Sequence, residues 1–303
     1  MGKIKEMKVL ITGSKGMLGS DLIKVLSAHS AQTCRGRIHP TSSLDCEVIG
    51  IDLKDVDITK KDEIIKVISD IHPDLVIHTA AYTDVDGCER KKDLAFLINA
   101  HGTENICPAV KKLKVPLLYI STDHVFNGEK RSPYIESDIP EPLNIYGKSK
   151  LKGEEYVQSL VSDYFIIRTA GLFGKNRKNF VDTVLRKARE ENVLKVVADQ
   201  IHSPTYTMDL SKEIKRLIKT ENYGIYHITN NGECSWYEFA QEILRLSRIK
   251  GVKLIPISSD ELDLPAKRPK YSVLTNHHLS ETIGDNMPSW QNALKKLGSG
   301  LNI

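Results

Sequence analysis

The chain has 303 residues, of which 40% are hydrophobic and 27% are charged, as in an ordinary globular protein. Its formal net charge of +4 is small, and its basic residues are spread among acids, so we expect no nucleic-acid partner. Residues 1–6 are too polar for a signal peptide, and no apolar run approaches ~18 residues. We therefore expect a cytoplasmic protein that does not span a membrane.

The cysteines exclude a disulfide framework and a simple zinc motif. Their number is odd, and they contain no C-x-x-C pair. We expect reduced, structural thiols and no metal site. The positions are Cys34, Cys46, Cys88, Cys107 and Cys234.

The first motif along the chain is a predicted strand, a glycine turn and a helix. Residues 8–12 form a short apolar run, typical of a buried parallel strand. Gly13, Gly16 and Gly19 follow at once in the spacing G-x-x-G-x-x-G, and an amphipathic helix comes next. Such glycines allow a tight turn, a close approach of backbone to a pyrophosphate and close packing of helix on strand. This order predicts a dinucleotide-binding opening.

The second strand is predicted at residues 47–52, after a polar stretch at 29–45 that lengthens the connection and to which we assign no role. It ends in Asp52, whose carboxylate could bind ribose hydroxyls and repel a 2′-phosphate, which favours NAD over NADP. Lys54 leaves NADP open, and a helix-capping role for Asp52 is the alternative. Asp57 and Ile58 come where the chain would pass the adenine.

Three more apolar strands are predicted at 74–79, 116–120 and 164–168, with helical patterns between them. This alternation predicts an α/β fold with a doubly wound parallel sheet, a Rossmann fold. Ser121, Thr122 and Asp123 follow the strand at 116–120, where ligands bind in such sheets. The alternative is ordinary turn chemistry with Asp123 as a local cap.

Tyr146 and Lys150 lie four residues apart and would share one face of a helix. An ammonium one turn away should lower the pKa of the phenol, which would then exchange a proton with a ketone-derived alkoxide. The alternative is a chance Tyr-x-x-x-Lys on a solvated helix.

Beyond residue 168 the alternation loosens. Strands are predicted at 194–197 and, as the last one, at 224–228. Trp236 and Phe239 belong to a helical stripe that indicates core packing. We expect a dinucleotide-binding domain at 1–170, to which part of 200–230 returns, and a smaller, discontinuous α/β substrate-binding lobe at 171–303.

The glycine turn, the Ser-Thr-Asp segment and the Tyr/Lys pair together resemble an extended short-chain dehydrogenase/reductase. The segments at 80–86, 121–128 and 142–150 resemble, more narrowly, the dTDP-4-dehydrorhamnose reductase family. So do the segments at 199–207, 224–227 and 268–274, so the resemblance spans nearly the whole chain.

The resemblance implies NADH- or NADPH-dependent reduction of the C4 ketone of a dTDP-linked 6-deoxy-4-ketohexose, which gives dTDP-L-rhamnose. Tyr146 would be the proton donor, Lys150 would hold the nicotinamide ribose, and Thr122 would hydrogen-bond the reacting oxygen. Asp123 would help to place the sugar. The residues implied to line the cofactor are Gly13, Gly16, Met17, Leu18, Gly19, Asp52, Asp57, Ile58, Ala80, Ala81, Tyr82 and Thr83.

The substrate side departs from the family pattern. His124 stands where the family usually has tyrosine, and Gly171 stands where it typically presents a large aromatic to the sugar. We therefore expect a pocket that is loosened on this side. Either another side chain covers the sugar there, with His124 and Tyr206 as candidates, or the pocket admits a bulkier or differently placed sugar. Asn179 and Arg268 would contact the nucleotide diphosphate. Some members hold magnesium at a dimer interface, but the matching acid is absent here, so we expect no metal; the resemblance leaves a homodimer open.

Two other functions stay open. One is a sugar-nucleotide epimerase or dehydratase of the same superfamily, although a dehydratase usually needs an acid pair where Asp123 is followed by His124. The other is a non-catalytic subunit that resembles the regulatory β subunit of methionine adenosyltransferase. The intact Thr122, Tyr146 and Lys150 favour catalysis.

Overall fold

A computed structural model describes residues 7–27, 46–176 and 178–299. The predicted surface stretch at 29–45, with Cys34, lies outside these ranges. Within them, Cys88, Cys107 and Cys234 are free and buried. None of the helices found in these ranges is both long enough and apolar enough to cross a membrane.

The strands form one main sheet and several short pairings. In chain order they are β1 (Met7–Thr12), β2 (Cys46–Ile51), β3 (Leu75–His78), β4 (Leu117–Thr122), β5 (Tyr164–Thr169), β6 (Leu172–Phe173), β7 (Val193–Val197), β8 (Ile201–His202), β9 (Thr205–Tyr206), β10 (Gly224–His227), β11 (Cys234–Ser235) and β12 (Lys253–Ile257).

The helices lie between these strands and after them. They are α1 (Met17–Ser27), α2 (Lys61–Ile71), α3 (Val85–Arg90), α4 (Lys92–Phe96), α5 (Gly102–Leu113), α6 (Ile145–Leu160), α7 (Phe180–Glu190), α8 (Thr207–Leu217), α9 (Trp236–Ser247), α10 (His277–Thr282) and α11 (Trp290–Ser299). A π-helical turn at Leu97–His101 joins α4 to α5.

The main sheet has the order β10-β5-β4-β3-β1-β2, and each neighbouring pair is parallel. The predicted doubly wound parallel sheet is therefore confirmed. Because β2 lies on one side of β1 and β3 on the other, the chain reverses direction across the sheet between β1 and β3. Ligands of such folds bind in the crevice at the carboxyl ends of the strands on either side of that point.

Two details differ from the sequence prediction. The strand expected at 116–120 extends to Thr122, because Ser121 and Thr122 are buried and pair with the last two residues of β5. The strand expected to be last, β10, joins the edge of the main sheet, and β12 follows it and pairs with β7. Proline and lysine within β12 obscured the apolar pattern that marks a strand.

Helices cover both faces of the sheet, which explains why its strands are near-continuous apolar runs. One face packs against α1 and α8 through leucines such as Leu22 and Leu210. The other packs against α2, α5 and α6 through residues such as Ile64 and Val157. A third cluster joins α7, α9, α11 and β7 in the C-terminal half and includes the predicted core residue Phe239.

A buried ion pair fixes α6 to the sheet. Glu154 on α6 accepts hydrogen bonds from Nε and Nη2 of Arg168 on β5 and from the Ser121 hydroxyl on β4. Glu154 and Arg168 are almost completely buried. Removal of one partner would leave the other charge buried and unpaired, which costs about 3–5 kcal/mol. The pair therefore fixes the position of the helix that carries Tyr146 and Lys150.

Candidate active site

The glycine turn lies at the crevice between β1 and β3. Gly13 has a φ of +69°, and a Cβ added there would lie 2.7 Å from the backbone nitrogen of Ala80. A side chain at Gly19 would collide with the carbonyl oxygen of Gly13. The first turn of α1 carries no acidic residue. No acidic side chain of this turn therefore offsets the positive polarisation of the helix N-terminus, which fits the pyrophosphate of a nicotinamide dinucleotide.

Asp52 comes directly after β2 and holds this turn. Its Oδ2 accepts a hydrogen bond from the backbone N–H of Lys15 at 2.9 Å, and its Oδ1 accepts one from Leu53. The carboxylate thus lies beside the glycine turn, as ribose binding requires, but it also has a structural task.

Asp57 and Ile58 are placed less favourably for a cofactor contact. Asp57 Oδ1 accepts hydrogen bonds from the backbone N–H and the hydroxyl of Thr59. The Ile58 side chain is buried in the core, and its carbonyl oxygen accepts a hydrogen bond from Asn105.

The loop at Ala80, Ala81, Tyr82 and Thr83 is fixed by Asn99, which the sequence analysis did not single out. Asn99 Oδ1 accepts from the Tyr82 backbone N–H, and its Nδ2 donates to the Tyr82 carbonyl and to the Ser149 hydroxyl on α6. Asn99 lies in the π-helical turn, a feature that often marks functional sites. In the sequence, Asn99 is marked only by its position next to Ile98, an apolar residue of the predicted helix.

The structure brings Thr122, Tyr146 and Lys150 together at the carboxyl end of β4. Tyr146 and Lys150 lie in the first two turns of α6. The buried Lys150 places its Nζ 4.0 Å from the ring centroid of Tyr119, a cation–π contact. The Tyr119 hydroxyl in turn donates to the Lys150 carbonyl, so one side chain holds both ends of this lysine.

The expected lowering of the Tyr146 pKa is wrong. Although Tyr146 keeps part of its surface exposed, the surrounding protein removes water from the phenol and raises its pKa well above the ordinary value. A hydrogen bond with Thr122 opposes this shift, and the negative charge of Asp123 adds to it. Burial also lowers the pKa of Lys150 to about 7, against the attraction of Glu154. Desolvation therefore outweighs the pairing that the helical spacing suggested.

Asn144 determines which ring nitrogen of His124 carries the proton. Its Oδ1 accepts from the Gly147 backbone N–H and caps α6, so its Nδ2 is the group that faces His124 Nδ1 at 3.0 Å. Nδ1 therefore accepts, and Nε2 carries the proton. The His124 ring meets the Tyr146 ring edge-on, with centroids 5.6 Å apart. A neutral His124 ring with its proton on Nε2 therefore lies beside the Tyr146 ring.

Two hydroxyl groups donate hydrogen bonds to the Asp123 carboxylate and hold it in place. Its Oδ1 accepts from Thr122 Oγ1 at 3.1 Å, and its Oδ2 accepts from Ser272 Oγ at 2.6 Å. The reading of Asp123 as a local cap receives no support, because the side chain of Thr122 accepts from the His124 N–H instead. These contacts join β4 to the segment around Ser272.

The side of Gly171 that we expected to be open, or covered by His124 or Tyr206, is filled by His202 instead. A Cβ built on Gly171 would lie 2.6 Å from Cδ2 of His202, so the imidazole ring already fills that side. His202 is stacked on Trp236, with ring centroids 3.8 Å apart. Tyr206, the other residue considered for this position, is buried against Phe173. His202 was missed because it lies 31 residues further along the chain and reaches Gly171 only through the pairing of β6 with the neighbouring β9.

Arg268 and Asn179 lie on the C-terminal side of the site. Arg268 makes a two-pronged ion pair with Asp86 on α3, and this hydrogen-bonded pairing lowers the pKa of Asp86. Asn179 caps α7, and its Nδ2 donates to the Gly174 carbonyl. Asn179 also lies beside the helix that follows the glycine turn. Its Nδ2 is 3.9 Å from the sulfur of Met17 in α1.

A cleft of about 1070 Å³ runs along this side. Apolar residues of α7, β7 and α9 line its floor. Its cationic residues outnumber its acids, Glu129 and Asp260. The cations are Lys187, Lys195, Lys267, Arg268 and Lys270. Asn144 Nδ2 donates to the Lys267 carbonyl, so the cleft begins next to the Tyr146 helix. Within the described ranges, no group of three or more metal-ligating side chains is placed to hold an ion.

The sequence profile of the RmlD substrate binding domain family matches residues 7–302. The chain belongs to this family. It is 37% identical over 289 residues to the spore coat polysaccharide biosynthesis protein SpsK of Bacillus subtilis (strain 168), covering 95% of this chain and 96% of that protein. It is 36% identical over 301 residues to the dTDP-4-dehydrorhamnose reductase of Aggregatibacter actinomycetemcomitans, covering 96% and 98% of the two chains.

A solved structure extends this similarity to three dimensions. The dTDP-4-dehydrorhamnose reductase of Bacillus anthracis, solved in complex with NADP, superimposes with a TM-score of 0.89 at 40% identity and covers 98% of this chain and 100% of that one. The resemblance inferred from the motifs is therefore confirmed at the level of the family and the fold.

The buried Lys150 yields a prediction about stability and pH. Its pKa of about 7 in the folded protein lies below the ordinary 10.5, so the unfolded chain binds more protons between these values and stability rises with pH there. Lys150→Met removes the cost of burying the charge but also loses the cation–π contact. We expect the stability of the variant relative to wild type to be higher at about pH 6 than at about pH 10, by roughly 4 kcal/mol.

Urea unfolding of wild type and variant at both pH values measures this difference. Lys148→Met, at an exposed position of the same helix, is the control and should change stability by less than about 0.5 kcal/mol at either pH. An equal loss of stability for Lys150→Met at both pH values would show that Lys150 is not strained by burial.

Proposed function

We propose that the protein is an NAD(P)H-dependent oxidoreductase that reduces the C4 ketone of a nucleotide-linked 4-keto-6-deoxyhexose, specifically dTDP-4-dehydrorhamnose to dTDP-L-rhamnose. One observation carries the proposal: Thr122, Tyr146 and the ring of His124 converge at the carboxyl end of β4. That end of the sheet also holds the glycine turn and the loop after β3. The reductases named above, similar over nearly the full chain, support the same reaction.

The cofactor, when bound, supplies the hydride. Tyr146 donates its phenolic proton to the oxygen that becomes negative as the ketone is reduced. Its raised pKa suits this role, because the phenol keeps its proton until a stronger base, the nascent alkoxide, is present. Lys150 provides a positive charge beneath the site, in its protonated form, and would hold the nicotinamide ribose.

Thr122 assists at the same oxygen. Its hydroxyl donates to Asp123 at 3.1 Å and accepts from the His124 N–H. Rotation of this hydroxyl would redirect its proton from Asp123 to the ketone oxygen. Asp123 is held by Ser272 as well, so it stays in place to position the sugar.

The cleft is proposed to take the nucleotide diphosphate. Its lysines and Arg268 suit two negative phosphates, and its apolar floor suits a base. A contact of Asn179 with the diphosphate also stays a proposal. It has less support, because the Asn179 side chain already caps α7. We further propose that residues 1–170 and part of 200–230 hold the cofactor, that 171–303 mainly hold the sugar nucleotide, and that the enzyme is cytoplasmic.

The other two functions receive less support. A dehydratase would need an acid where His124 lies, and burial lowers the His124 pKa, so this side chain is a neutral donor. A purely regulatory role gives no reason for the buried Lys150 or for the placement of Thr122 beside the phenol.

The role of Tyr146 is tested by Tyr146→Phe. Loss of the general acid should lower kcat by roughly 10²-fold or more with dTDP-4-dehydrorhamnose, while the Kd for the nicotinamide cofactor stays unchanged. Tyr156→Phe, on the last turns of the same helix, is the matched control and should retain wild-type turnover. Near-normal turnover of Tyr146→Phe would remove the phenol from the mechanism.

Cofactor preference is tested at Asp52. NADH should bind more tightly than NADPH, since the Asp52 carboxylate would repel a 2′-phosphate. Asp52→Asn keeps an oxygen for the Lys15 N–H but removes the charge, and should narrow the difference in affinity by roughly tenfold. Asp55→Asn, which removes a neighbouring charge, should narrow it less. Equal affinities in wild type that do not change in Asp52→Asn would leave Asp52 a purely structural residue.

A further inference from the structure

Three buried polar side chains around Gly171 lack hydrogen bonds. By strict hydrogen-bond geometry, neither ring nitrogen of His202 has a partner among the described residues, although the backbone of Cys234 lies close enough to oppose the lowering of the His202 pKa. The hydroxyls of Ser203 and Thr169 lack partners as well. All three residues are at most 4% exposed. Buried polar groups are nearly always hydrogen-bonded, because water lost on burial must be replaced. A cluster of such groups points to a ligand that completes them.

The cluster lies beside the reaction centre. Thr169 ends β5 and pairs with Thr122 of β4. The strand that carries His202 is tied to the same place, because the Ile201 carbonyl accepts from the Ser272 N–H, and Ser272 Oγ donates to Asp123.

The cluster also borders the cleft proposed for the nucleotide. Trp236 stacks on the His202 ring, and both Trp236 and Gln200 line that cleft. A molecule that reaches from the cleft to Tyr146 therefore passes His202.

The chemistry of His202 matches a hydroxyl group better than a phosphate. Burial and, to a smaller extent, the nearby His124 lower the pKa of His202 to about 3, so the ring is neutral at physiological pH. A neutral imidazole offers one donor and one acceptor. A sugar hydroxyl needs both, whereas a phosphate only accepts and is better matched by cations.

We propose that His202 is a specificity-determining residue that binds a ring hydroxyl of the sugar, with Ser203 and Thr169 beside it. The inference rests on the proposed function and deepens it by assigning the sugar contact to the ring that fills the side at Gly171. Trp236 covers one face of this ring and is only partly buried, so its indole separates His202 from the cleft. The sugar reaches the ring nitrogens when the indole turns aside.

His202→Phe tests the proposal, since it keeps the ring and its stacking on Trp236 but removes both nitrogens. We expect kcat/KM for the nucleotide-linked 4-ketosugar to fall at least tenfold, mainly through KM, while cofactor affinity is unchanged. Thermal stability should hold or rise, since a buried unbonded polar group has been removed. His202→Gln, which restores a donor and an acceptor, should recover part of the loss.

His278→Phe is the matched control, because His278 also stacks on an aromatic ring, that of Tyr226, but lies on α10 away from the cleft. Its kcat/KM should equal that of wild type. A kcat/KM for His202→Phe within about twofold of wild type would overturn the proposal.

Substrate analogues identify the hydroxyl. Wild type should discriminate against either the 2-deoxy or the 3-deoxy form of the 4-ketosugar, and His202→Phe should lose that discrimination. Retention of the same discrimination by the variant would contradict a direct contact.

Binding without turnover separates this inference from the proposed function. Calorimetry with dTDP and with dTDP-glucose should show tighter binding of the sugar-bearing ligand by wild type only. If wild type reduces no 4-ketosugar, the proposed function fails, while a preference for dTDP-glucose that disappears in His202→Phe would still support the sugar contact. The absence of that preference in wild type would overturn the contact itself.

Discussion

The buried amide of Asn144 connects the parts of the site more directly than any other side chain described above. Its oxygen caps α6 at Gly147, and its nitrogen donates to His124 and to the carbonyl of Lys267, 123 residues away. A cap of this type is worth about 1 kcal/mol to the helix. Here it also directs the Tyr146 turn towards β4, selects the proton-bearing nitrogen of His124 and joins the C-terminal segment to both.

Burial of charged and polar groups shifts the pKa values of two residues in the site. Glu154 and Arg168 satisfy one another beneath α6, but Lys150 is left with an aromatic face and a pKa lowered to about 7. Tyr146 is shifted in the opposite direction by the same loss of water. Both shifts favour neutral forms. A ligand that brings charge or hydrogen-bonding groups into this region would therefore be bound more strongly than the isolated residues suggest.

Local patterns in the sequence predicted most strands of the main sheet. They also indicated the glycine turn and the Tyr146 and Lys150 pair of the candidate site. The apolar run at β1, the glycine turn and the Tyr/Lys spacing depend on neighbours within a few residues, and periodicity reveals such features. The role of Asn99 and the contacts of Asn144 with His124 and Lys267 could not be predicted, since these partners come from distant segments. His202 was missed for the same reason: the pairing of β6 with β9 and the hydrogen bond from the Thr205 N–H to the Gly171 carbonyl bring its ring against Gly171. The pKa of Tyr146 depended on burial, which spacing does not reveal.

The roles of Tyr146, Lys150 and Thr122 all depend on hydride transfer to C4 of a nucleotide-linked ketosugar. The most direct measurement uses dTDP-4-dehydrorhamnose with NADH or NADPH that carries deuterium at C4 of the nicotinamide, followed by NMR of the sugar product. The account predicts dTDP-L-rhamnose with deuterium at C4 of the sugar ring. Oxidation of neither cofactor, or a product without deuterium at that carbon, would contradict it.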